Sequence, residues 1–312
     1  MADVVVTEFM DLAALKTLEA DYTVHRDETL WEKPEALRES IAHAQALIVR
    51  NKTPVDVALL DAAPDLKVVG RLGVGLDNID LKACAERNVR VCPATGANAD
   101  AVAEYAVAAA MVLLRGLIPA TQAIAQGAWS RTDHSAGRES AGRVFGLLGY
   151  GSIGRVTAER AGALGFRVIA HDPAIDETDN ATATTETQIV SFATLLDQAD
   201  VLSVHVPLTS DTRGLLDAPA LAAMKPGAIL INTARGGIVD EAALADALTR
   251  GHLGGAALDV FEEEPTPAKT CIALSRLHNV LLTPHIAGLS EDANTRVSEL
   301  TVANVRAVLR QS

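Results

Sequence analysis

The stretch Val144-Phe-Gly-Leu-Leu-Gly149-Tyr-Gly151-Ser-Ile-Gly154-Arg155 restricts what this chain can fold into more than any other. A buried-strand run ends in Gly-x-Gly-x-x-Gly, and the following Ala-containing segment from Arg155 to Gly165 reads as a helix. A second strand, Arg167-Val-Ile-Ala, finishes at Asp172, eighteen residues beyond Gly154. Gly149 permits the tight turn, Gly151 lets backbone approach a pyrophosphate, and Gly154 lets helix and strand pack closely. The helix N-terminus offers N–H groups to the phosphates. Asp172 is placed to accept hydrogen bonds from an adenosine ribose, and its charge repels a 2′-phosphate. The cofactor expected is therefore NAD rather than NADP.

At 312 residues the chain exceeds the usual size of one core, and two domains of about 100–200 residues each are expected. With only 3% aromatic residues and many aliphatic ones, it suits parallel sheets covered by helices on both faces. A net charge of −13 argues against a nucleic-acid partner, which would require a basic surface. The apolar run from Tyr105 to Leu114 is too short to cross a bilayer, and Met1-Ala-Asp-Val lacks the start of a signal peptide. A cytoplasmic location with no membrane partner is expected. Cys84, Cys92 and Cys271 are widely spaced and lack a Cys-x-x-Cys pattern, which suggests neither a disulfide framework nor a metal site.

The first hundred residues alternate strand-like and helix-like segments. Strands are expected at Asp3 to Thr7, Tyr22 to Arg26, Ala46 to Val49, Lys67 to Gly70 and Val89 to Val91, with helices at Leu12 to Ala20, Pro34 to Ala44 and Leu81 to Asn88. This is a parallel α/β domain without a dinucleotide glycine triplet. Two of its strand ends carry Arg50-Asn51-Lys52-Thr53 and Arg71-Leu-Gly73-Val74-Gly75-Leu-Asp77-Asn78. Ligands of open parallel sheets gather at such ends, where Gly73 and Gly75 would expose backbone N–H groups. The Ala-rich segment from Ala99 to Gly127, broken near Gly116 and Pro119, is apolar nearly all round and is expected between layers or in a subunit interface. Thr132 to Gly142 reads as a surface arm, and Asp176 to Gln188 as a loop. Strands then follow at Val201 to Val204, Ala228 to Asn232, Gly255 to Asp259 and Val280 to Thr283, with helices at Glu241 to Arg250 and Ser290 to Leu309.

Three later strand ends carry Thr233-Ala234-Arg235-Gly-Gly, Asp259-Val-Phe-Glu-Glu-Glu264-Pro and Pro284-His285-Ile-Ala-Gly288. An Arg, a Glu and a His converging on a nicotinamide site suggest hydride chemistry. Reducing a 2-oxo acid needs a cation to hold the carboxylate and polarise the carbonyl, which a planar Arg fork does bidentately. It also needs a proton donor, the natural role of His, and a carboxylate beside the His stabilises imidazolium. Arg235, His285 and Glu264 can fill these roles, although chemistry alone leaves open which of Glu262, Glu263 and Glu264 serves. Of the other histidines, His25, His43, His134, His252 and His278 have no comparable setting.

The segments Leu147 to Arg155, His205-Val206-Pro207-Leu-Thr209 with Thr212-Arg-Gly214, Met224 to Gly227, Asn232 to Gly237, Ala257 to Phe261 with Glu264-Pro265, and Thr283 to Gly288 together resemble the D-2-hydroxyacid dehydrogenase family. The resemblance runs along essentially the whole chain. It implies an α/β protein of two doubly wound parallel-sheet domains: a Rossmann-type NAD domain (99–286), and a flavodoxin-like, discontinuous substrate domain (1–98 and 287–312). A homodimer is implied as well. The catalytic Glu of the family immediately precedes the proline, which selects Glu264. By the same resemblance Arg235 binds the substrate carboxylate and carbonyl, and His285 is the acid/base. Gly73-Val74-Gly75 cradles the carboxylate, and Ser152 and Ile153 lie on the pyrophosphate with Gly149, Gly151 and Gly154. Asp172 meets the ribose, Val206 and Pro207 lie near adenosine, and Thr233, Ala234 and Asp259 surround the nicotinamide.

Arg50, Lys52 and Arg71 look most like the phosphoglycerate dehydrogenase branch, where an Arg holds the distal phosphate, and the neighbourhood Asn98 to Tyr105 also resembles sulfolactate dehydrogenases. The expected substrate is therefore a three-carbon 2-hydroxy acid with a second anion, 3-phosphoglycerate or 3-sulfolactate. Hydroxypyruvate or glyoxylate reduction is the alternative. The chain stops at Ser312 directly after the closing helix, so a C-terminal regulatory domain with serine feedback is not expected. An NAD-sensing corepressor of the same fold is the alternative from a different functional class.

Overall fold

The computed structural model describes residues 2–175, 187–277 and 279–311. The expected loop from Asp176 to Gln188 lies, up to residue 186, outside the described residues, as does His278. The chain divides into two compact units, residues 1–98 with 289–312, and residues 99–288.

The first unit holds five parallel strands: β1 (Val4–Val6), β2 (Val24–Arg26), β3 (Ala46–Val49), β4 (Val68–Arg71) and β5 (Arg90–Pro93), in the order β2-β1-β3-β4-β5. Strands β1 and β3 are apolar without alternation and buried throughout, as strands covered on both faces must be. Helices α1 (Leu12–Glu19), α2 (Pro34–Ile41), α3 (Val57–Asp61) and α4 (Leu81–Glu86) connect them. The short α3 has no apolar period to announce it; it starts where Asp56 accepts from the Leu59 amide at 2.9 Å. The final helix, α12 (Glu291–Leu309), is capped by Ser290 and packs on β4 and α1.

The second unit begins with α5 (Ala99–Leu114) and α6 (Leu117–Ala125), with Gly116 between them in a left-handed conformation (φ 61°). Helix α5 is interior to its own unit: Ala106, Ala110 and Leu113 pack against Phe145, Ile231 and Ala257 of the sheet. Seven parallel strands follow: β6 (Val144–Leu148), β7 (Arg167–His171), β8 (Gln188–Ile189), β9 (Val201–Val204), β10 (Ile229–Asn232), β11 (Gly255–Leu258) and β12 (Val280–Leu282). Their order is β12-β11-β10-β9-β6-β7-β8. Helices α7 (Ser152–Ala163), α8 (Phe192–Gln198), α9 (Ala218–Ala223), α10 (Glu241–Thr249) and α11 (Ala268–Ser275) cover its faces. In both sheets the chain builds outward from its first strand, then returns to build on the other side, the doubly wound pattern.

Three details differ from the sequence reading. Helix α7 begins at Ser152 rather than Arg155, because the glycine turn leads directly into its first turn. Gln188, expected in a loop, is paired with Ile169 in β8. Helices α8 and α9 are unmarked by periodicity, yet each has a side-chain cap, Ser191 on the Thr194 amide and Asp217 on the Ala220 amide. Among the described residues no single helix is long and apolar enough to cross a membrane; α5 and α6 pass that test only jointly, and they are bent by 62°.

Gly70 sets how closely α12 lies on β4. A Cβ there would stand 2.7 Å from Val305 Cγ2 and 2.9 Å from Thr301 Cγ2, and β-branched side chains have little rotamer freedom in a helix. Gly70→Ala should therefore lower stability by about 1–3 kcal/mol through overpacking. Urea unfolding would report it, as a lower midpoint at unchanged slope.

Candidate active site

In the second unit the strand order reverses between β6 and β9, and the glycine loop leaves β6 at that point. Gly149 (φ 99°) makes the turn that an L-residue would resist. A Cβ on it would also stand 2.8 Å from the His205 backbone, so the turn fits only against the end of β9. Gly154 is equally confined: its Cβ would meet the Gly149 carbonyl oxygen at 2.4 Å. Gly151 is different: among the described residues nothing lies within 4 Å of its Cβ position, and no side chain of theirs caps the N-terminus of α7 there. The surface where a pyrophosphate would lie is thus bare backbone, and Ser152 and Ile153 form the first turn behind it.

Asp172, just past β7, turns back to this loop. Its Oδ2 accepts from the Tyr150 amide at 2.9 Å and its Oδ1 from the Ala174 amide at 3.0 Å. An ionised carboxylate offers about four lone-pair directions, so acceptor capacity remains for a ribose. His205, next to Val206 and Pro207, bonds to Ser203 Oγ at 2.9 Å. Burial pushes its imidazole down to about 4, so it is neutral at pH 7.

The loop after β10 is held by its own polar side chain. Asn232 donates from Nδ2 to the Arg235 carbonyl (2.9 Å) and accepts at Oδ1 from the Ala234 amide (3.1 Å). Arg235 Nη1 donates to the Ala234 carbonyl at 2.6 Å. The hydroxyl of the neighbouring Thr233 is buried with no hydrogen-bond partner among the described residues, which suits a ligand amide or carbonyl. Gly236 brings this loop against the next one: a Cβ there would lie 1.7 Å from the Phe261 carbonyl oxygen. A cleft of about 500 Å³ beside it is lined by Arg213, Gly237 and Glu262, among others.

Glu264, the last residue before the cis Pro265, reaches His285 with Oε2 at 2.7 Å from Nδ1, and accepts from the Phe261 amide at Oε1. A carboxylate only accepts, so Nδ1 carries the proton of that bond and Nε2 is left for a reactant. The pair is half-exposed, with side chains 43% and 38% accessible. His285 sits at φ 56°, an uncommon and costly conformation for a residue other than glycine. Asp259 holds it there: its carbonyl accepts from the His285 amide (2.8 Å), and its carboxylate accepts from the Ile286 and Ala287 amides (2.8 Å each) and from Thr283 Oγ1 (2.6 Å). Tyr105 of α5 completes the chain by donating to Thr283 Oγ1 at 2.6 Å. The carboxylate of Asp259 is therefore turned mainly to the protein, with one lone-pair direction of Oδ2 remaining for a cofactor. Glu262 and Glu263 are exposed; the Glu262 amide donates to Glu241, whose carboxyl is pushed up by burial and by its acidic neighbours.

In the first unit β3 and β4 are paired through Val49 and Arg71, so the two loops expected to hold anions start side by side. Arg50 Nη2 donates to Asn294 of α12 at 2.8 Å, and Lys52 Nζ lies 4.3 Å from the centre of the Trp31 ring. Arg71 Nη1 donates to the Leu72 carbonyl at 2.7 Å and lies against Gly73, where a Cβ would meet it at 1.7 Å. One expectation needs correcting. The Gly73 amide is turned inward to the Arg71 carbonyl at 2.8 Å, so any backbone cradle of this loop is made by Val74 and Gly75.

Residues 107–287 match the family described as D-isomer specific 2-hydroxyacid dehydrogenase, NAD binding domain. The chain is also 51% identical over 309 residues to the (S)-sulfolactate dehydrogenase of Chromohalobacter salexigens, covering 99% of both. The chain belongs to the D-isomer specific 2-hydroxyacid dehydrogenases. It is an NAD-dependent oxidoreductase acting on the CH–OH group of a 2-hydroxy acid. Among other members, the D-3-phosphoglycerate dehydrogenase of Mycobacterium tuberculosis is 42% identical over 88% of this chain, which spans about half (51%) of that enzyme's length. The crystal structure of the TT0316 protein from Thermus thermophilus superposes with a TM-score of 0.87 at 36% identity, covering 99% of this chain and 97% of the other.

Because Gly236 sets the approach of the Arg235 loop to the Glu264 loop, Gly236→Ala must push them apart. A displacement of about 1 Å at reacting groups can cost on the order of 100-fold in rate. The expected result is a loss of that size in kcat/KM with NADH binding, followed by fluorescence, retained.

Proposed function

We propose that this dehydrogenase interconverts a three-carbon D-2-hydroxy acid carrying a second anion on C3, 3-sulfolactate or 3-phosphoglycerate, with its 2-oxo acid. The observation that carries the reading is the likeness to a sulfolactate dehydrogenase along 99% of both chains. It is supported by three basic side chains, Arg50, Lys52 and Arg71, on adjoining loops of one sheet edge. The (S) label of that relative's substrate agrees with D-specificity. At C2 the sulfur-bearing CH₂ outranks the carboxylate in priority, so the arrangement called (R) in a simple 2-hydroxy acid becomes (S).

In this proposal residues 99–286 bind the cofactor and residues 1–98 with 287–312 bind the substrate. Gly149, Gly151, Ser152, Ile153, Gly154 and Asp172 hold the pyrophosphate and ribose, Val206 and Pro207 flank adenosine, and Thr233, Ala234 and Asp259 surround the nicotinamide. NAD supplies the hydride acceptor or donor. Arg235 binds the carboxylate and polarises the 2-oxo group, as a guanidinium fork can do in one plane. In reduction, His285 delivers a proton from Nε2 to the carbonyl oxygen, and Glu264 stabilises the imidazolium through Nδ1. Val74 and Gly75 hold the carboxylate, and Arg50, Lys52 and Arg71 hold the second anion. A cytoplasmic homodimer completes the reading; Leu117 and Ile124 of α6 and Trp129 beyond it are 48%, 54% and 82% exposed, which suits a covered apolar surface.

Removing Arg50 tests the substrate class. Hydrogen bonds to charged groups contribute about 1.5–3 kcal/mol. Arg50→Ala should therefore raise KM for 3-sulfopyruvate and 3-phosphohydroxypyruvate about 10- to 100-fold, and change the value for hydroxypyruvate far less. Equal effects on all three would contradict the proposal.

A further inference from the structure

In the five-stranded sheet the strand order reverses between β1 and β3. Ligands of open parallel sheets collect outside the carboxyl ends of the two strands flanking such a reversal. Here those ends carry Thr7 and Glu8 on one side and residues 50–53 on the other. The crevice already contains an anion, and it belongs to the protein. Glu8 is 4% exposed, and its carboxylate accepts from the amides of Arg50 (2.8 Å), Asn51 (3.2 Å), Lys52 (3.1 Å) and Thr53 (3.0 Å), and from the Thr53 hydroxyl (2.8 Å). Successive amides pointing into one concavity ordinarily bind phosphate or a similar oxyanion. With Glu8 in their centre, a substrate anion at this edge is left to the side chains of Arg50 and Lys52.

The same loop is gripped through its acceptors. Asn78 donates from Nδ2 to the Thr53 carbonyl at 2.6 Å and to the Arg50 carbonyl at 3.3 Å, while its own carbonyl accepts from the Val55 amide at 2.8 Å. Asn78 ends the loop after β4 that contains Gly73, Val74 and Gly75. Donors tied to β1 and acceptors tied to the β4 loop join the two loops through a continuous set of hydrogen bonds. Burial pushes the Arg50 guanidinium down while the charge of Glu8 pulls it up, so the carboxylate also offsets the cost of holding Arg50 partly out of water.

We propose that Glu8 and Asn78 are positioning residues that set Arg50 and Lys52 at a defined distance from the glycine loop. They thereby select substrates by the spacing between the carboxylate and the second anion. This rests on the dianionic reading given above. The negative charge matters as well as the size of the side chain. In Gln an NH₂ group replaces one oxygen, and it would face the amides that Glu8 now accepts from.

The test compares Glu8→Gln, Asn78→Ala, Arg50→Ala and the Glu8→Gln/Arg50→Ala double variant, each assayed for NADH oxidation with 3-sulfopyruvate and with hydroxypyruvate. The quantity read is the ratio of the two KM values. Glu8→Gln and Asn78→Ala should each raise the ratio of sulfopyruvate to hydroxypyruvate KM about ten-fold with kcat largely kept, and the double variant should be no worse than Arg50→Ala. If Arg50→Ala moves the ratio and folded Glu8→Gln and Asn78→Ala do not, the positioning role is overturned while the dianionic substrate stands. If Arg50→Ala itself leaves the ratio in place, the dianionic reading fails, and this inference with it. Should Glu8→Gln not fold, Asn78→Ala decides alone, since it removes two hydrogen bonds from a half-buried position without stranding a charge.

Discussion

The buried carboxylate of Asp259 is the contact on which the geometry of the proposed Glu264–His285 pair most depends. It fills the acceptor needs of the two amides that follow His285 and of Thr283 before it, and so keeps the histidine in a backbone conformation that would otherwise relax. Hydrogen bonds to an ionised group contribute about 1.5–3 kcal/mol each, enough to offset the cost of a left-handed residue, on the order of 1–3 kcal/mol. With the backbone so held, the imidazole meets Glu264 through Nδ1, and Nε2 is left for a reactant. The strain is local and the compensation sits directly beneath it.

The same device recurs at other strand ends. Asp172 takes the Tyr150 amide of the glycine loop, and Glu8 takes the amides of residues 50–53. In each case a loop at the carboxyl edge of a parallel sheet is held by an acid from the edge of a different strand. Parallel strands end in a row of backbone groups that no ladder pairs, and a buried group without a partner is costly. An internal carboxylate satisfies several donors at once, and it leaves the outward-facing side chains to deal with ligands. The glycines act by a separate principle, allowing backbone to touch backbone. Gly149 against His205 and Gly236 against Phe261 are contacts that any side chain would prevent.

Much of this is readable in the sequence. Most strands of the two sheets carry aliphatic runs, β2, β5 and β8 excepted, and the glycine triplet with Asp172 marks the cofactor strand and its neighbour. The Arg235, Glu264 and His285 stretches stand at strand ends with turn residues beside them, which marks them as site candidates. What cannot be read are the residues that work through backbone. Glu8, Asn78 and Tyr105 make their contacts with main-chain atoms or with a hydroxyl distant in sequence, and no spacing rule records such a contact. The short helices α3, α8 and α9 escape a reading by period because five to seven residues carry too little of it, although their Asp and Ser caps are visible. The inward turn of the Gly73 amide depends on the Arg71 carbonyl, a local geometry that composition does not encode.

The central claim is that the basic loops of the first unit recognise a second anion. Its most direct test is NADH oxidation by the purified protein with 3-sulfopyruvate, 3-phosphohydroxypyruvate and hydroxypyruvate measured side by side. The account predicts kcat/KM for one of the two dianions at least about ten-fold above that for hydroxypyruvate, the size expected for one charge-assisted contact. Equal or faster turnover of hydroxypyruvate would contradict it, and would return Arg50, Lys52 and Arg71 to a purely structural role.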